Sequence, residues 1–175
     1  KNLAKNLKLN ILKEQSKQNN FYLKTKIRNA SINSKEIKKN DIFFAIKGKK
    51  NDGNFFIGES LKKGASFVVV NRINRSTIRS KQLLVKDSLK SLTNISKKIR
   101  LSSNAKIIAI TGSCGKTSLK ELLANTLSKI GRVSYSPKSY NNKYGVPLSL
   151  FNIKKEDDFG IFEVGMDKSG EIDFL

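Results

Sequence analysis

Histidine and tryptophan are absent from this sequence of 175 residues, cysteine and methionine occur once each, and proline occurs twice. Without histidine, these residues offer no imidazole as a base or a metal ligand. The single cysteine rules out an internal disulfide and fits a reducing compartment. No apolar run approaches the length of a membrane span, and the first residues lack the apolar core of a signal peptide, so a cytoplasmic setting is expected. Acids are scarce: 14 Asp and Glu stand against 35 Lys and Arg, a formal net charge of +21. Arginine is scarce too, six of those 35. A nucleic-acid reader leans on arginine forks and on stacking aromatics. Here the lysines are scattered, often beside Asn and Ile, and read as solvated surface whose field attracts polyanions such as nucleotides. A basic nucleic-acid-binding module stays open as an alternative; its affinity would fall steeply with salt.

The length allows one large domain or two small ones. Leu3, Leu7 and Ile11 recur at helical spacing and predict a short basic amphipathic helix. Asp41 to Ile46 reads as a strand, Phe55 to Lys63 as a helix stopped by Gly64, and Phe67 to Val70 as a buried β-branched strand. Leu83 to Val85 is a further short strand, and Leu89, Leu92, Ile95 and Ile99 mark one helix face. Polar Ser102-Ser103-Asn104 is a plausible joint, which places domain limits at 1–103 and 104–175. Beyond it, Leu119, Leu122, Leu123, Leu127 and Ile130 line a helix that Gly131 ends. Val133 to Tyr135 reads as a strand, Leu148 to Phe151 as a short helix, and Gly160 to Val164 as a central strand. Strands alternating with helices predict an α/β fold with a mostly parallel sheet in the second half.

The richest stretch is Ile107-Ile108-Ala109-Ile110-Thr111-Gly112-Ser113-Cys114-Gly115-Lys116-Thr117-Ser118. An apolar strand, two glycines, a Lys-Thr pair and a helix are the grammar of a phosphate-cradling loop. Glycines let main-chain N–H groups turn toward an anion, Lys116 reaches the outer phosphates, and the Thr117 hydroxyl is a Mg²⁺ ligand candidate. Ile110 stands where the commonest phosphate loop has glycine, which tightens the turn. Glu163, an acid near the end of an apolar strand, is costly to bury without a cation and is a second Mg²⁺ ligand candidate. Asn141-Asn142 ahead of Gly145-Val146-Pro147 offers uncharged donors and acceptors, though alone it reads as a turn. Cys114, at the mouth of a helix, reads as a small residue tolerated in the loop.

Together these motifs resemble the Mur ligases. Thr111 to Ser118 with Lys120-Glu121 is similar to their ATP loop, and Tyr140 to Leu148 to their Asn-Asn segment. Phe162-Glu163-Val164-Gly165-Met166 with Gly170-Glu171-Ile172 is similar to the strand and turn that follow. Asn33-Ser34-Lys35, Phe43 to Gly48, Asp52-Gly53 and Lys63-Gly64-Ala65 are similar to the uridine-binding N-terminal domain. The resemblance implies a small mixed α/β substrate domain followed by the start of a phosphate-loop ATPase domain. It is strongest to the dipeptide-adding branch, which implies a cytoplasmic, ATP- and Mg²⁺-dependent peptidoglycan step. There, D-alanyl-D-alanine is joined to UDP-N-acetylmuramoyl-tripeptide through an acyl phosphate. It assigns Gly112, Ser113, Cys114, Gly115, Lys116, Thr117 and Ser118 to ATP, with Lys116 as the catalytic cation, and Thr117 and Glu163 to magnesium. Asn141 and Asn142 fall to the nucleotide sugar or the transferring phosphate, and Ser34 and Lys47 to the uridine diphosphate end. Neither nucleic acid nor a partner chain is implied, so a monomer is expected.

The chain departs from the family at Asn33 and Lys35, where Asp and Arg are usual, at Asn40 for Gly, at Asn54 for His, and at Asp167-Lys168 for Asn-His. Rival readings are a sister ligase adding a diamino acid, a folate or cyanophycin ligase of the same superfamily, or a non-catalytic nucleotide-binding remnant. Ser113, Lys120-Glu121 and Asn141-Asn142 favour the dipeptide adder. The sequence opens on Lys1 and closes on Asp173-Phe174-Leu175 within a new element, which reads as a fragment. Such a fragment is expected not to turn over: purified residues 1–175 should release no ADP in a substrate-dependent phosphate assay.

Overall fold

The computed structural model describes residues 27–48 and 51–165. The helix expected at Leu3, Leu7 and Ile11 lies outside them, as do Met166, Asp167, Lys168, Gly170, Glu171 and Ile172. The chain divides into two compact units, Lys1–Lys98 and Ile99–Leu175.

The first unit is built on a four-stranded, all-parallel sheet in sequence order: β1 Ala30–Ser31, β2 Ile42–Phe44, β3 Phe67–Val70 and β4 Gln82–Leu84. Strand β1 is only two residues long and left no pattern in the sequence. Phe43, Val68 and Val70 join Ile37, Ala45, Ile57 and Ala65 in one buried cluster. By alternation, Ile42, Phe44, Phe67 and Val69 face the other way, and they are equally buried. A parallel sheet covered on both faces needs continuous apolar runs, which Ile42-Phe43-Phe44 and Phe67-Val68-Val69-Val70 supply. Helix α1, Ile57–Lys62, follows a 3-10 turn over Gly53–Phe56, so the sequence-predicted helix from Phe55 begins two residues later. The turn is capped by Asp52, whose side chain accepts from the Asn54 N–H. Gly64, with φ of 101°, closes the helix in a conformation that disfavours a side chain. Helix α2, Ser88–Ser102, buries Leu92, Ile95 and Ile99 at the spacing read from the sequence.

In the second unit the chain runs β5 Lys106–Ile110, α3 Lys116–Leu127, β6 Val133–Tyr135, α4 Gly145–Phe151 and β7 Phe159–Glu163. The sheet order is β5-β7-β6, all parallel, so the last strand is central. Its core joins Ile110, Ala124 and Ile161 with Ile108, Leu123, Leu127 and Val133. The inward face of α3 is therefore the buried Lys120 and Ala124, with Leu123 and Leu127 partly buried against the core. Of the leucines and isoleucine that marked this helix in the sequence, Leu119, Leu122 and Ile130 are exposed, at 46%, 63% and 74%. Helix α4 starts earlier than its apolar pattern predicts, because Gly145 lets it begin against the preceding loop. A Cβ there would lie 2.6 Å from the Tyr140 carbonyl carbon.

Candidate functional site

The second unit gathers its chemistry where β5 and β7 end. The two strands run parallel in register, with Ile110 opposite Glu163, and the Val164 N–H donates to the Ile110 carbonyl at 2.8 Å. Two neighbouring parallel strands thus deliver the Thr111–Gly115 loop and an acidic side chain to the same end of the sheet. That is the end at which open α/β sheets hold ligands.

The loop is exposed throughout. Gly112 and Gly115 have φ of 146° and 74°. A Cβ on either would meet nothing closer than 3.8 Å, so backbone conformation, rather than space, calls for glycine. Gly115 caps α3, and its carbonyl accepts from the Leu119 N–H at 2.9 Å. Lys116 opens the helix and its ammonium curls back to donate to the Gly112 carbonyl. Ser113, Cys114, Thr117 and Ser118 are exposed around it. In this strand–loop–helix unit, main-chain amides, a cation and the helix dipole all stand at one place.

Glu163 is fully buried and closes β7; its N–H donates to the Ser136 hydroxyl at 3.1 Å. The Lys120 ammonium, also fully buried, lies 3.1 Å from Oε1. That contact is an ion pair outside hydrogen-bond geometry, and neither Glu163 oxygen accepts a hydrogen bond among the described residues. A buried carboxylate with one oxygen facing an ammonium and neither accepting a hydrogen bond has capacity left for a second cation. One carboxylate, one hydroxyl and substrate phosphates form a donor set suited to Mg²⁺. Among the described residues no group of three His, Cys, Asp or Glu converges on a metal site. The Asn-Asn segment reaches this region as well: the Asn141 carbonyl accepts from the Gly165 N–H at 2.6 Å. The Asn142 side-chain oxygen accepts from the N–H groups of Tyr144 and Gly145, both at 3.0 Å, and so heads α4.

The remaining candidates belong to the first unit. Ser34 is buried, and its hydroxyl donates to Glu59 at 2.8 Å. Glu59 also pairs with Lys63 at 2.9 Å, and Lys63 first, then Ser34, hold its carboxyl below the usual value of 4.5. Lys47 is exposed, and its main chain pairs with that of Asp52 in a single antiparallel β-bridge. Asp52 takes the Asn54 side-chain amide at 2.6 Å and Arg72 at 3.1 Å. The Asn54 side chain, then its main-chain N–H and Arg72, hold Asp52 below 3.8. Arg72 in turn lies 5.8 Å from the ring centre of Phe55, which is 78% exposed. Sequence reasoning named Asp52 only within a motif and missed Arg72 and Ser136. It quoted Lys120 without a role; the signal was a lysine on the stripe that continues through Ala124 and Leu127.

The chain that folds this way belongs to the Mur ligase family. Residues 26–100 match the Mur ligase family catalytic domain and residues 110–175 the Mur ligase middle domain. Among its relatives is the UDP-N-acetylmuramoyl-tripeptide–D-alanyl-D-alanine ligase of Rickettsia prowazekii. It is 38% identical over 144 residues, 82% of this chain and 32% of that protein. The ligase of the same name from Buchnera aphidicola (from Acyrthosiphon pisum) is 39% identical over 142 residues, 81% of this chain and 30% of that one. The chain therefore spans about a third of the length of the curated relatives it matches. A crystal structure of MurF from Acinetobacter baumannii superposes with a TM-score of 0.79 at 29% identity, over 94% of this chain and 37% of that one. The MurF ligase of Thermotoga maritima in complex with ADP gives 0.67 at 34% identity, over 83% and 34%.

Replacing Asn142 by Ala should lower stability by about 1 kcal/mol without any ligand, because two N–H groups at the head of α4 lose their acceptor. Asn142→Asp should retain most of it, as urea titrations followed by circular dichroism would show. For Glu59 and Asp52, the depressed folded values mean that folding favours their ionised forms. Their contribution is in place above the usual values of 4.5 and 3.8 and is lost as pH falls through the lower folded values. Thermal midpoints measured on acidification should therefore fall less steeply below about pH 4.5 in Glu59→Gln than in the parent chain.

Proposed function

We propose that this chain supplies the nucleotide-sugar site and the phosphate loop of an ATP-dependent acid–D-amino-acid ligase. Its reaction joins D-alanyl-D-alanine to UDP-N-acetylmuramoyl-tripeptide in cytoplasmic peptidoglycan precursor synthesis. Residues 1–103 hold the UDP-linked substrate, with Ser34 and Lys47 toward its uridine diphosphate, and residues 104–175 open the ATP domain. The observation that carries this reading is the register of Ile110 with Glu163, which sets a buried carboxylate beside the strand feeding the loop. The relatives named above, one of them solved with ADP, support it.

The chemistry follows from the groups at this site. A terminal carboxylate oxygen of the tripeptide attacks the γ-phosphorus of ATP, ADP departs, and an acyl phosphate results. The D-alanyl-D-alanine amine then attacks the acyl carbon, inorganic phosphate leaves, and the nitrogen gives up a proton as the amide forms. Main-chain N–H groups from Gly112 to Ser118 wrap the phosphates. Lys116 leaves the Gly112 carbonyl for the phosphoryl oxygens and offsets the charge that develops there. Thr117 and Glu163 hold Mg²⁺, which when bound neutralises phosphate oxygens. Asn141 and Asn142 contact the nucleotide sugar or the phosphoryl group in transfer.

Fluorescent mant-ATP titrated into the chain with Mg²⁺ tests this reading. Lys116→Ala should weaken binding about tenfold or more, with an unchanged melting curve, since the side chain is partly exposed and supports no core contact. Near-parental binding in that variant would remove Lys116 from the phosphate site.

A further inference from the structure

Lys120 is the only lysine among the buried polar and charged residues described, and the phosphate-loop chemistry above does not use it. Its position on α3 is telling. It lies one turn after Lys116, four residues on, on the face that continues through Ala124 into the core. A lysine on such a stripe must bring its charge into the interior, where an ammonium needs partners for three N–H donors. Lys120 has one hydrogen-bond acceptor and two charge partners, on three different segments. The Lys138 carbonyl accepts at 2.6 Å, the Glu121 carboxylate lies at 3.2 Å and the Glu163 carboxylate at 3.1 Å. The Tyr135 ring lies 5.9 Å from the same nitrogen.

Each partner belongs to a piece of the candidate site. Glu163 ends the central strand. Lys138, at φ of 52°, sits in the turn between β6 and Asn141-Asn142, and Ser136 at the start of that turn accepts from the Glu163 N–H. Asn141 closes the circuit by accepting from Gly165, two residues past Glu163. The ammonium thus occupies Oε1 of Glu163 from one side without saturating it, and leaves Oε2 unmatched.

We propose that Lys120 is a positioning residue for the divalent-cation site. It fixes the Glu163 carboxylate so that its free oxygen meets the metal, and it ties the Asn-bearing turn to the helix that begins with Lys116 and Thr117. This inference rests on the nucleotide-binding reading, and the experiment separates the two. Mant-ADP is titrated into the 175-residue chain at fixed nucleotide and increasing Mg²⁺, then again in EDTA. Lys120→Met should raise the half-saturating Mg²⁺ about tenfold while changing metal-free mant-ADP affinity less than twofold. Lys120→Arg, which keeps the cation, should recover most of the shift. A merely structural lysine would move neither quantity, or both together. An unchanged or lowered Mg²⁺ midpoint in a folded Lys120→Met chain overturns the proposal.

Because losing a buried cation endangers folding, the parent chain provides a second readout. The Lys120 Nζ signal in a ¹⁵N spectrum, recognised by the slow exchange of a buried ammonium, should shift on adding Mg²⁺ with ADP and stay in place with ADP and EDTA. A signal that ignores Mg²⁺ while mant-ADP is saturated also overturns the proposal. If the parent chain fails to bind mant-ADP in Mg²⁺ at all, the nucleotide-binding reading itself falls.

Discussion

A carboxylate at the inner end of a central parallel strand has to be compensated, and much of the second unit is arranged around that requirement. Glu163 arrives there because β7, last of the described strands, inserts between β5 and β6. Its compensation comes from Lys120, which reaches it only if α3 lies across the sheet with residues 120, 124 and 127 inward. That choice turns Leu119, Leu122 and Ile130 outward. An ion pair of this kind adds little net stability over an apolar pair of similar volume, but breaking it is expensive. It therefore acts as a selector of arrangement: helix, strand and turn satisfy their charges in one register.

The first unit solves a different problem by similar means. Its two central strands are apolar on both faces, so specificity falls to the loops, where Asp52 gathers Asn54 and Arg72, and Glu59 gathers Ser34 and Lys63. These carboxylates are near the surface and each is worth modest free energy. Gly53 is fixed by contact: a Cβ there would stand 2.7 Å from the Ile46 nitrogen, so the turn lies flat against the end of β2.

Much of this was legible in the sequence. Continuous β-branched runs such as Phe67 to Val70 read as strands because parallel sheets bury both faces, and Gly112, Gly115, Lys116 and Thr117 read as a phosphate loop because few other structures need that order. The acid of Glu163 stood out for the same reason it is costly. Four things were hidden. Strand β1 is too short to carry a period. The face of α3 was ambiguous, since leucines occupy both sides and a buried lysine contradicts the usual rule for the interior. The pairing of Glu163 with Lys120 depends on strand order, which is a tertiary fact. The turn at Asn141-Asn142 showed as a turn, but its bond to Gly165 arises from a strand end that lies far along the chain.

The Lys116 ammonium rests on the carbonyl of Gly112, within its own loop. An arriving anion therefore exchanges one lysine hydrogen bond for another, and the number of bonds does not rise. What the exchange gains is Coulombic, because a neutral carbonyl dipole gives way to a formal charge. Recognition at this loop is accordingly graded by how much negative charge the guest carries. A nucleoside has little to offer in the trade, each added phosphate has more, and dissolved salt discounts the gain for all of them.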